Sequence, residues 1–137
     1  MVRVIKFEFF VTGLPIPGQY KQTKSGVIYQ VGRAVDWRKA VSLMAMVAAG
    51  PGWKPISGCV TLYMDFYFPI PKSRKDLKPG MPHLQDPDCS NLLKNSEDGL
   101  KRILFTDDNM VWRTMCSKAW CEAGKEGVQV VVTIEEA

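Results

Sequence analysis

Between Asp86 and Val111 the chain carries six carboxylates, Asp86, Asp88, Glu97, Asp98, Asp107 and Asp108, in a protein whose formal net charge is +4. Like charges held close repel, and an unpaired carboxylate is costly to bury, so such a group needs either water or a cation. With oxygen donors alone, the cation that suits is hard and divalent. Mg²⁺, with Mn²⁺ as a substitute, takes one or two carboxylates together with waters and phosphate oxygens, the arrangement that serves phosphodiester chemistry.

The spacing says how these groups could be held. Asp86, Asp88 and Ser90 alternate, so an extended segment would project all three from one side. Asp88 or Ser90 is also a good N-cap for a helix. That helix is predicted from Cys89 to about Leu104, with Leu92, Leu93, Leu100, Ile103 and Leu104 on one face, Ser96 beside them, and Asn91, Lys94 and Asp98 in a polar stripe continuous with Asp88. Lys94 would then pair with Asp98, and Glu97 with Lys101, at i, i+4. Asp107 and Asp108 follow in a polar break where adjacent aspartates are ordinary turn residues. A helix of about 15 residues spans roughly 22 Å, so the two ends meet through the fold or not at all. The expectation is a shared, solvent-accessible pocket containing Asp88 and at least one of Asp107 and Asp108. A competing pattern overlaps these residues: Asp86, Asp88, Ser90 and Glu97 stand at positions 1, 3, 5 and 12 of a calcium-binding loop, with Asn91 where that loop has glycine.

Basic residues surround the acidic group. Lys72, Arg74, Lys75 and Lys78 form a loop just upstream, and Lys94, Lys101, Arg102 and Arg113 lie within or after the helix. Cations that neutralise a phosphate backbone beside a metal-type acidic pocket point to nucleic acid, whereas the loop alone would read as a solvated segment. His83 lies in a Pro- and Gly-rich loop and is expected to be solvated. The cysteines Cys59, Cys89, Cys116 and Cys121 include no C-x-x-C pair, so free thiols are expected rather than a zinc site.

The positioning elements follow from periodicity. Val4 to Thr12 and Cys59 to Phe68 alternate as strands, Gly26 to Val31 suggests a short strand, and a first helix runs from about Val35 to Ala49. Val111 to Cys121 and Val128 to Glu135 flank Gly124 to Gly127 and read as a hairpin. The fold class is α+β, a small mixed or antiparallel sheet packed with two main helices, in one domain over residues 1–137. No signal peptide, membrane-spanning run, internal repeat or low-complexity segment is read, and the default location is cytoplasmic.

At Pro87-Asp88-Cys89-Ser90-Asn91-Leu92-Leu93-Lys94, Asp98-Gly99-Leu100 and Asp107-Asp108-Asn109-Met110-Val111, the chain resembles the RusA-like Holliday junction resolvases. Their pattern is roughly P-D-x-D-N-L-x-K-x-x-x-D-A-L, a short loop and D-D-x-x-V. Gly13-Leu14-Pro15-Ile16-Pro17 resembles the family's G-x-P-x-P after its opening strand. The resemblance implies a Mg²⁺-dependent, structure-selective endodeoxyribonuclease that nicks four-way junctions in recombination or repair, acting as a homodimer and prophage-like in kind. It implies catalytic roles for Asp88, Lys94 and Asp108 and metal contacts from Asp88, Asp108, Asp107, Ser90 and Asp98; by their charge, Lys72, Arg74, Lys75, Lys78, Lys94, Lys101 and Arg102 are the expected DNA contacts. Ser90 departs from the pattern, standing where the family has its second aspartate. A hydroxyl is the weaker ligand for a hard cation, so Asp86 and Glu97 are candidate compensating carboxylates, and a junction-binding protein of reduced catalysis is the alternative reading.

Overall fold

The structure is a computed structural model that describes residues 3–18, 20–30 and 32–136. In chain order its elements are β1 (Arg3–Thr12), β2 (Tyr20–Gln22), β3 (Ile28–Gln30), α1 (Gly32–Ala49), β4 (Gly58–Pro69), α2 (Cys89–Leu100), β5 (Val111–Cys121) and β6 (Gly127–Glu136), with a 3₁₀ turn over Asp108–Met110. Alternation in three strands turns one row of side chains inward: Phe7, Phe9 and Val11 from β1, Val60, Leu62, Met64, Phe66 and Phe68 from β4, and Val128, Val130, Val132 and Ile134 from β6. That period of two, rich in β-branched and aromatic residues, is what a sheet covered on one face requires.

The sheet runs β1-β6-β4-β5, antiparallel between β1 and β6 and between β6 and β4, and parallel between β4 and β5. Helix α1 buries Ala34, Trp37, Val41 and Ala45 at helical spacing and lies against β1, while α2 lies against α1 and β5. The α+β expectation therefore holds, with a mixed sheet. A parallel β4–β5 pair needs a long crossover, and the chain from Ile70 through α2 supplies it. This connection sets α2 on the sheet. The β2–β3 ribbon pairs separately; Val31, at the end of the expected strand, lies outside the described residues. No helix among the described residues is long and apolar enough to cross a membrane.

Three expectations are corrected. Strands β5 and β6 do not form a hairpin, because β6 inserts between β1 and β4 while β5 pairs with the far side of β4. Gly127 explains part of this choice: its φ is +154°, and a Cβ there would collide with the Val11 carbonyl and the Phe10 ring, so the residue is shaped for β1. Helix α2 ends at Leu100 rather than near Leu104. Arg102 takes a φ of 68°, and the turn so formed tucks Leu104 and Phe105 into the core, where Thr106 donates to the Ile56 carbonyl. Burial of two large side chains outweighs one more helical turn. Finally, α2 occupies the positions that a calcium loop over residues 86–97 would need, which overturns that reading.

Candidate active site along the second helix

Helix α2 is anchored by polar contacts at its buried face. Trp37 Nε1 donates to Ser96 Oγ (3.0 Å), Ser42 Oγ to the Gly99 carbonyl (2.7 Å), and Asn95 Nδ2 to the carbonyls of Ile16 (3.0 Å) and Ala34 (3.1 Å). Asn95 and Ser96 are buried, so these bonds satisfy groups that would otherwise be costly. They also fix which face of α2 meets solvent, and the acidic residues stand on or beside that face.

At the N-terminal end the chain bends over residues 85–87, where the Asp86–Pro87 peptide is cis, and Asp88 becomes the N-cap. The extended alternation of Asp86, Asp88 and Ser90 is thus not observed, since Ser90 is already helical. Asp88 makes no side-chain capping bond to the backbone. Its carboxylate instead accepts from Asn91 Nδ2 (3.0 Å) and Ser90 Oγ (3.3 Å), and it remains exposed. Lys118 holds the bend from beneath, its ammonium donating to the carbonyls of Gln85 (2.6 Å) and Pro87 (2.8 Å). Sequence alone does not mark Lys118 or Asn95, because one lies in a strand pattern and the other within a helical one. A lysine in a half-buried row of β5 beside a proline-broken loop was the available signal.

At the C-terminal end, Lys101 stands between Asp98 (4.0 Å) and Asp108 (3.8 Å). Asp98 pairs with Lys101 and not with Lys94, which is exposed and correspondingly free to meet a ligand. Glu97 is half-buried rather than an exposed partner of Lys101, and burial, then the Asp108 and Asp98 carboxylates, push its pKa up. Asp107 caps the 3₁₀ turn, accepting from the Asp108 N–H (2.7 Å), and interactions with Asp108, its carboxyl first and then its backbone, hold Asp107 below its ordinary value.

The two ends are distinct. Asp98 lies about 15 Å along the helix axis from Asp88, and Asp108 groups with Asp98 and Lys101. Among the described residues no three His, Cys, Asp or Glu side chains form a group able to hold a metal ion. The donors fit a hard cation in kind, being oxygens throughout, and Lys101 already serves as a cation between two of them. Their placement in one chain leaves Asp88 and Ser90 at one end and Asp98, Asp107 and Asp108 at the other.

The upstream loop exposes Lys72, Lys75 and Lys78, whereas Arg74 forms a paired contact with Asp76 (2.9 and 2.8 Å) that holds the Asp76 carboxyl at about 2. Arg74 is thereby partly neutralised. Arg102 is exposed in its turn. His83 is buried, not solvated: its ring lies 4.4 Å from that of Phe68 and 4.2 Å from that of Trp120, and among the described residues Nδ1 has no hydrogen-bond partner. The thiols are free, and Cys116, donating to the Cys89 carbonyl at 3.6 Å, has its pKa raised chiefly by burial.

A mixed sheet covered on one face by two helices, with carboxylates and a lysine along the solvent side of the crossover helix, defines an α+β protein. A family match to Endodeoxyribonuclease RusA spans residues 14–135, and the chain belongs to the RusA endodeoxyribonuclease family. That membership supports nuclease action on branched DNA. No curated protein matches the chain.

Proposed function

We propose that this protein is a cytoplasmic, Mg²⁺-dependent endonuclease that nicks four-way DNA junctions as a homodimer. The observation that carries the reading is the disengagement of Asp88: an N-cap carboxylate normally bonds to the first turn of its helix, and this one does not. It is held by two side chains and faces solvent, as expected of a ligand rather than a cap.

In this reading Asp88 with Ser90 would contact a cation at one end and Asp98, Asp107 and Asp108 another at the far end, since one ion cannot reach both ends within a single chain. A bound Mg²⁺ would lower the pKa of a water and offset charge on the phosphate. Lys94, on the same solvent face between the two ends, orients the scissile phosphate and neutralises the charge that develops on it. Lys72, Lys75, Lys78 and Arg102 contact the DNA backbone, with Arg74 available once Asp76 yields it, and Lys101 exchanges its carboxylates for phosphate when a cation arrives. Two opposed strands of a junction call for two active sites, which a two-fold dimer provides.

The test is cleavage of a synthetic four-way junction, with binding followed separately in Ca²⁺. Asp88→Asn and Asp108→Asn are expected to abolish nicking and retain junction binding, and Lys94→Ala to lower the rate about 10²-fold or more with little change in stability. Cleavage by Asp88→Asn at the wild-type rate would remove the mechanism. Strong junction binding without metal-dependent nicking by the wild type would favour the junction-binding protein, for which Ser90 in place of a carboxylate is the specific ground.

A further inference from the structure

Beside the Asp88 end of α2, residues 14–17 and the bend at Asp86 form an open pocket of about 400 Å³ lined by Leu14, Ile16, Pro17, Arg33, Phe68 and Asp86 among others. Its size lies in the range of small-ligand sites, about 300–1,000 Å³. The walls are apolar, and one guanidinium and one carboxylate are the charged groups among its lining residues. The loop is tied to the helix, since Asn95 holds the Ile16 carbonyl at 3.0 Å and the Gly18 N–H donates to the Asn91 carbonyl at 3.5 Å. The pocket is therefore preformed beside the candidate site.

We propose that this pocket receives a single nucleobase unstacked from the branched DNA, the one flanking the phosphate bound at the Asp88 end; the proposal rests on the branched-DNA reading above. A nucleobase has two apolar faces, an edge of hydrogen-bonding groups and a phosphate attached to its sugar, and the pocket offers a counterpart to each. Phe68 and the loop prolines meet the faces, Asp86 accepts from an exocyclic amino group, and Arg33 meets the phosphate. Continuity with the site is direct, because Asp86 lies two residues before Asp88. Branched DNA makes the occupant accessible at low cost, since bases at a branch point unstack more readily than those inside a duplex. Bases with an exocyclic amino group are preferred over thymine.

The experiment measures junction affinity in Ca²⁺ for the wild type and Leu14→Trp, whose new ring fills the pocket from a rim position that is 42% exposed. Junctions carry an abasic site at each nucleotide flanking the cut in turn. At one position the abasic site should weaken wild-type binding about ten-fold, Leu14→Trp should weaken binding of the intact junction similarly, and both together should cost no more than either alone. Asp86→Asn should collapse the preference for an amino-bearing base over thymine at that position while the protein remains folded. Penalties that multiply at every position, or a change of oligomeric state on Leu14→Trp without DNA and with the abasic effect intact, would overturn the proposal. A wild type that binds branched DNA no better than duplex of equal length would instead overturn the reading beneath it.

Discussion

Ser90 donates to Asp88 Oδ2 over 3.3 Å, so a carboxylate at residue 90 would stand beside that of Asp88 with no proton between them. Without metal the two repel, and with Mg²⁺ they form the pair that a hard cation prefers. Ser90→Asp is therefore expected to lower the Mg²⁺ concentration for half-maximal nicking several-fold and to make stability newly dependent on Mg²⁺. A rate and metal profile unchanged from wild type would show that residue 90 does not reach the cation. His83 makes a different prediction. Burial, then the nearby Lys118, lowers its pKa below the ordinary 6.5, so the unfolded chain binds the proton more readily than the folded one. Stability is full above the unfolded value and is lost as pH falls from there towards the lower folded value. Urea midpoints measured from pH 7.5 to 5 should fall for the wild type and stay flatter for His83→Leu; equal slopes would remove His83 from the account. The sequence placed this histidine in a solvated loop, since nothing local announces that Phe68 and Trp120 close on it.

The helices and strands were legible where their periodicity is long. β1, α1, β4, β5 and β6 lie within a few residues of their expected bounds, and α2 starts where its N-cap signal stands. Its end was not legible, because Leu104 and Phe105 reach the core through a turn at Arg102 rather than by continuing the helix. Gly99 shows what that contact demands. A Cβ there would lie 2.8 Å from the Arg38 carbonyl and 3.0 Å from Val41, so α2 approaches α1 too closely for alanine. Gly99→Ala should gain up to about 1 kcal/mol in helix propensity and still destabilise the protein by about 1–3 kcal/mol through overpacking. Thermal and urea unfolding measure this, and a stabilised variant would mean that the two helices separate without cost.

At the scale of the molecule, β5 is an edge strand that leaves Trp112 (64%) and Met115 (62%) exposed, with the Arg113 guanidinium 5.5 Å from the Trp112 ring. Residues 80–83 cover this edge at Lys118 and Trp120, and natural proteins rarely leave the remainder of such an edge open, which makes the 111–117 stretch the surface by which the proposed homodimer would pair. Met115→Lys sets like charges against each other across a two-fold axis. It should weaken self-association at least about ten-fold in sedimentation and separate the nicking of the two opposed strands, while single-strand nicking persists at high protein concentration. A wild type that sediments as a monomer on junction DNA would end this assignment.

Residue chemistry and local order were determined by the sequence alone: the acidic and basic sets, the α+β class, the Pro-Asp-x-Ser-Asn-Leu-x-Lys run at the head of a helix, and the family resemblance that the match over residues 14–135 upholds. These depend on neighbours within a turn or two, where period and side-chain type suffice. Tertiary structure decided everything that requires distant residues to meet. The insertion of β6 between β1 and β4 and the Lys118 support beneath Asp88 join positions far apart in the chain, and the Lys101 ammonium between Asp98 and Asp108, though local in sequence, depends on the turn that follows α2. Such contacts follow from which apolar faces bury one another and how the crossover from β4 to β5 sets α2 on the sheet, and no local pattern encodes that choice.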